Sequence, residues 1–109
     1  MQGGSWSATV ALRIPKRKHP INDLLALLGR RWTLRVLWEL RDGPVPYAPL
    51  RRRCDEVSTS VLAQRLRELV EAGLVGLGED GYALTPDGAE LARILLELDA
   101  FARRRAAPS

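Results

Sequence analysis

The chain of 109 residues contains one cysteine, one histidine and, among its 17 basic residues, only two lysines, Lys16 and Lys18. A single cysteine cannot close an internal disulfide, which fits a reducing cytoplasm. One cysteine and one histidine fall short of a structural zinc site, so neither a metal nor a cofactor is expected. The longest leucine/alanine run, Leu24 to Leu28, is far shorter than a bilayer span, and no membrane partner is expected. The first twenty residues, MQGGSWSATVALRIPKRKHP, lack a basic segment followed by an apolar one, so no signal peptide is expected. Catalytic constellations are missing as well. His19 has no Ser or Cys nucleophile to serve, and the acidic pairs Asp55-Glu56 and Glu79-Asp80 fall in turns. The chain is not read as an enzyme.

What it has in excess is arginine, unevenly placed. Residues 1–70 carry 13 Lys/Arg against 6 Asp/Glu, a surplus of +7, whereas residues 71–109 carry 4 against 7, or −3. Guanidinium forks match phosphates and guanine edges, so the basic part suits a nucleic-acid partner. A GC-rich genome that favours arginine codons is the plain alternative.

Along the chain, residues 1–18 read as a basic arm in which SATVAL is a candidate short strand. Residues 19–105 read as one folded domain, and 106–109 as a tail. Pro20 starts a helix, INDLLALL, that is apolar nearly all round and closes at Gly29. A second helix is predicted over Trp32 to Gly43, with Gly43-Pro44 ending it. Val45-Pro46-Tyr47 reads as an extended connector, and APLRRRCD as a short helix with Leu50 and Cys54 on one side. Ser58 is a candidate N-cap for the helix over residues 58–72. On that helix Leu62, Leu66, Leu69 and Gly73 share a core face, and Ser60, Gln64, Arg67 and Glu71 point the opposite way. LVGL, GEDG and YALT make a two-stranded hairpin. Thr85 and Pro86 open the last helix, where Leu91, Ile94, Leu95, Leu98 and Phe101 or Ala102 have core spacing, leaving Leu96 and Ala92 on another side.

Two helices joined by a tight turn and followed by a hairpin is the winged helix-turn-helix arrangement. The expected fold is therefore mainly α (α+β), with a short two-stranded wing and a long C-terminal helix for dimerisation. Three segments carry a narrower resemblance: GRRWTLRVLWELRDGP (residues 29–44), STSVLAQRLRELVEAGLV (residues 58–75) and YALTPDGAEL (residues 82–91). In order, and in spacing up to Val75, the chain resembles the HxlR-type winged-helix regulators, relatives of the MarR group. That resemblance implies a homodimeric bacterial transcription regulator with residues 58–72 as recognition helix and the first and last helices as dimer interface. Many members resemble one another in a Cys-Pro before the first helix that senses electrophiles. Here His19-Pro20 stands there, so sensing by that thiol is not expected. The family's wing is usually longer and basic. One carrying Glu79 and Asp80 repels phosphate, which makes the arm from Arg13 to Lys18 the candidate minor-groove reader.

The expected double-stranded DNA contacts are Ser58, Thr59, Ser60, Gln64, Arg65 and Arg67, with Ser60 and Gln64 reading bases and Arg65 reaching phosphate. Arg51, Arg52 and Arg53 are candidate phosphate clamps. The expected homodimer interface comprises Ile21, Leu24, Leu25, Leu28, Leu95, Leu98 and Phe101. Trp32 and Trp38 are core candidates and, as a further reading, candidates for lining the pocket of a small aromatic effector. Cys54 reads as a packing residue, and Trp6, in the arm, has no reading. The main functional expectation is a sequence-specific DNA-binding regulator, a repressor before an activator. The alternatives are a winged-helix protein-interaction module and a small-ligand-binding dimer.

Overall fold

A computed structural model of the chain describes residues 20–106; the expectations for the arm, for His19 and for residues 107–109 lie outside them. The elements are α1 (Pro20–Leu28), α2 (Thr33–Glu39), α3 (Tyr47–Arg53), α4 (Thr59–Glu71), β1 (Val75–Gly78), β2 (Gly81–Leu84) and α5 (Pro86–Arg105). Their order is the one expected: three helices, the recognition-type helix, a hairpin and a long last helix.

Local chemistry sets most boundaries. The Ser58 hydroxyl accepts from the Val61 amide at 3.2 Å and caps α4. Thr85, fully buried, accepts from the Gly88 amide at 3.1 Å and donates to the Gly73 carbonyl at 2.6 Å. One hydroxyl thus starts α5 and ties it to the end of α4. The helix expected over residues 32–43 is shorter at both ends. Trp32 has a left-handed φ of 79° and stands outside the helix. Past Glu39 the chain continues as tight turns, with the Leu40 amide shared between the Val36 and Leu37 carbonyls and Gly43 bonded to Leu40.

The connector at Val45 also does more than expected. Its amide and carbonyl both pair with Tyr82, at 2.9 Å each, adding one residue of a third strand to the β1–β2 hairpin. Pro44 and Pro46 on either side lack an N–H, so the pairing stops at one residue. Gly81, with φ 115°, permits the crossing, because a Cβ there would lie 2.5 Å from the Pro46 nitrogen and the Val45 carbonyl carbon.

Val36 and Leu37 of α2 with Leu40 just after it, Leu50 and Cys54 around α3, Leu62, Leu66 and Leu69 of α4, Leu74 and Val75 after it, and Leu95 of α5 make one core. The last helix is turned differently from its expected setting. Ala92 and Leu95 are buried, whereas Ile94, Leu96, Leu98 and Phe101 are about half exposed. The N-terminal part of α5 faces the core with small residues, including Gly88, where an added Cβ would meet the Leu74 carbonyl.

Candidate nucleic-acid interface

The leucine stripe of α4 fixes which residues face outward. Ser58, Thr59, Ser60, Arg67 and Glu71 are exposed and Gln64 is half-buried. The Tyr47 hydroxyl donates to the Thr59 carbonyl at 2.9 Å and pins the start of α4 to the start of α3. The sequence places Tyr47 in the extended connector, but it is the first residue of α3, since Pro46, not Tyr47, is the last extended residue before the helix.

The residues around Glu68 form a network that sequence reading also missed. Glu68 accepts from Arg65 Nη1 at 2.9 and 3.0 Å, from Arg30 Nε at 3.0 Å and from Gln64 Nε2 at 3.0 Å. Arg65 Nε reaches back to the Arg31 carbonyl at 2.9 Å, and Arg67 Nη2 donates to Gln64 Oε1 at 2.6 Å. Burial alone pushes the Glu68 carboxyl up. The hydrogen bonds from Gln64 and Arg65 and the charges of Arg65 and Arg30 outweigh it and hold the group below its ordinary value. The side chain of Arg65 is only 12% exposed, with its guanidinium engaged by Glu68 and the Arg31 carbonyl.

The arginine run on α3 divides likewise. Arg51 Nε donates to the Val57 carbonyl at 2.6 Å and Nη2 to the Glu56 carbonyl at 3.3 Å, holding a turn in which Asp55 and Glu56 both take left-handed φ of 58°. Arg53 donates to the Glu39 carbonyl at 3.4 Å, and its own carbonyl accepts from Arg35 at 2.5 Å. Arg52 is exposed, and its side chain makes no hydrogen bond or ion pair among the described residues. Cys54 is fully buried in the core, and burial, opposed by Arg35, pushes its thiol up, so it packs and carries little thiolate. Glu79 and Asp80 sit exposed at the wing tip.

Trp38 lines an open groove of about 330 Å³ with Leu34, Arg35, Leu95, Leu98 and Asp99, and one ring face carries Arg41 at 4.0 Å from the centroid. Trp32 is half-buried against the core and is not part of that groove. The two tryptophans are thus not brought together in it. Of the expected interface residues, Ile21, Leu25, Leu98 and Phe101 are 49–55% exposed, and Leu24 and Leu28 are partly covered. Leu95 belongs to the chain's own core. Among the described residues, α1 has no buried position at all.

Residues 27–109 match the family described as HxlR-like helix-turn-helix. The chain is similar to the HTH-type transcriptional regulator YodB of Bacillus subtilis, 31% identical over 89 residues that cover 75% of this chain and 80% of that one. The crystal structure of quinone-bound YodB superposes with a TM-score of 0.70 at 30% identity, over 77% of this chain and 96% of that one. An uncharacterised HTH-type transcriptional regulator of Methanocaldococcus jannaschii is 30% identical over 77 residues, 67% of this chain and 73% of that one.

Because the folded-state value of Glu68 is depressed, its stabilising contribution is complete above the ordinary carboxylate range and is lost as pH falls through the folded value. Glu68→Gln is expected to unfold more readily than wild type at neutral pH, by about 1.5–3 kcal/mol. In urea titrations at successive acid steps that gap should close. A gap that persists or widens in acid contradicts the network.

Proposed function

The chain belongs to the HxlR-like helix-turn-helix family of transcriptional regulators, and from that premise we propose that it binds duplex DNA as a homodimer with α4 in the major groove. The observation that carries this reading is the outer side of α4. Ser60 and Arg67 stand exposed opposite the leucine stripe with Thr59 exposed on its flank, and on α3 the Arg52 guanidinium has no partner among the described residues. Ser60, Gln64 and Arg67 read bases, and Arg52 contacts phosphate. Arg51 supports the turn that leads into α4, and Arg53 ties α3 to the end of α2. Glu79 and Asp80 keep the wing tip off the phosphates, leaving the minor groove to the arm from Arg13 to Lys18. A dimer seated over a promoter excludes polymerase, so the reading favours a repressor in the cytoplasm.

The dimer half of the proposal rests on α1 and α5. A nine-residue helix is marginal in water alone, and α1 touches its own core only through the half-buried Leu27 and Leu28 at its end. Ile21 and Leu25 on α1, with Leu98 and Phe101 on α5, offer the apolar surface that a second copy covers. A second reading adds a planar aromatic effector in the groove at Trp38. It is supported by the exposed leucines there and by the quinone-bound state of YodB.

In gel shifts across a salt series, Arg52→Ala is expected to weaken binding to all duplexes alike and to reduce the salt slope by about one. A wild-type protein that shows neither salt dependence nor a preferred sequence sinks the DNA reading. Sedimentation equilibrium should give a dimer for wild type and a folded monomer for Leu98→Asp; a monomeric wild type refutes the interface. Planar aromatic compounds are expected to quench tryptophan emission in wild type and markedly less in Trp38→Phe. Equal quenching in both removes the groove from consideration.

A further inference from the structure

Gln64, the residue best placed to read a base, does not project freely into solvent. Both ends of its amide are engaged within α4: Nε2 with Glu68 at 3.0 Å and Oε1 with Arg67 at 2.6 Å. A carboxylate only accepts and a guanidinium only donates, so this arrangement permits one orientation of the amide. Turning it over would set Oε1 against the carboxylate and Nε2 against the guanidinium. Each end still has capacity to spare. Nε2 keeps a second hydrogen and Oε1 a second lone pair, an outward donor and acceptor in fixed order along the helix.

Adenine shows the complementary pair in the major groove, an N7 acceptor beside the N6 amino donor. Guanine shows two acceptors there, and thymine an acceptor and a methyl group. An amide free to rotate satisfies part of each pattern, whereas one of fixed polarity satisfies adenine on one strand best.

Resting on the DNA-binding reading above, we propose that Glu68 is a positioning residue for specificity: its carboxylate fixes the polarity of the Gln64 amide and confines that position of the site to adenine. Glu68 is itself held from two sides. Its side chain is 17% exposed, bound by Arg65 from α4 and by Arg30 from the turn between α1 and α2. Arg65 is in turn anchored on the Arg31 carbonyl. The order in which Gln64 presents its donor and acceptor is therefore set by the body of the fold and carried into the groove by one carboxylate.

The test is binding-site selection from a randomised duplex pool with wild type, Gln64→Ala, Glu68→Gln and Glu71→Gln. In Glu68→Gln the carboxylate becomes an amide that can donate as well as accept, so it no longer dictates the orientation of Gln64. Glu71→Gln removes the same charge from the exposed side of α4, at a residue outside the Gln64 hydrogen bonds. Wild type is expected to select adenine at one position of each half-site, and Gln64→Ala to lose that preference. Glu68→Gln should lower it by roughly tenfold at the same position, leave other positions unchanged, and bind random duplex at least as tightly, since a negative charge is gone. Glu71→Gln should bind random duplex more tightly with its base preferences intact. A purely structural role for Glu68 instead weakens selection at every position together.

Should Glu68→Gln not fold, Glu68→Asp retains the charge for Arg65 and Arg30 while withdrawing the carboxylate from Gln64 by one methylene, and the same single-position loss is expected. Loss of adenine in Gln64→Ala with full retention in the folded Glu68 variant overturns this inference and leaves the DNA reading standing. A wild type that selects no sequence overturns both.

Discussion

A helix packed on a core retains one freedom that matters for recognition, rotation about its own axis, and in α4 three leucines remove it. Leu62, Leu66 and Leu69 are 0–2% exposed, and burying each is worth about 1.5–3 kcal/mol. A single surface ion pair is worth about 0–1 kcal/mol. The leucines therefore decide the rotation and the polar groups accommodate it. Which side chains of α4 can meet a partner follows from that inequality. With the stripe inward, Ser60, Gln64 and Arg67 face away from it, and Gln64 stands one turn before Glu68, within its reach.

The arginine excess has a use that neither codon bias nor phosphate affinity describes. Helices α2 and α3 are only seven residues long, so most of their carbonyls have no partner within the helix. Arg35 and Arg53 donate to carbonyls near the ends of these helices, and Arg51 does the same for the turn that follows. A guanidinium suits the task because it offers several donors and its charge complements the negative end of a helix. The same side chains let Asp55 and Glu56 adopt left-handed conformations in a turn without glycine. Much of the basic charge in the first seventy residues thus braces the helix-turn-helix from within, and the part left over for a partner is smaller than the sequence suggests.

What could be read beforehand follows the same division. Caps and stripes are local: Ser58, Thr85, Pro86 and the leucine spacing of α4 each declare themselves within one turn of chain, and the structure uses them as expected. Long-range pairings leave no such trace. Val45 looks like any residue between two prolines until Tyr82 is beside it, and Arg65 looks like a surface cation until the Arg31 carbonyl is in reach. The last helix failed for a different reason. Its 20 residues carry apolar side chains on two sides, and periodicity does not say which side belongs to its own core. Gly88 lets Leu74 and Leu84 come close and Ala92 is buried, so that side went inward and Ile94 and Leu98 stayed out.

That outcome bears on how the two ends of the chain depend on each other. Helix α1 is too short to persist by its own hydrogen bonds, and it is held to the body of the fold only by the half-buried Leu27 and Leu28 at its C-terminal end, which leaves Ile21 and Leu25 exposed. Arg30 follows two residues after α1 ends, and its guanidinium is one of two that hold Glu68. The turn that joins the apolar helix to α2 is thereby also a support of the polar face of α4.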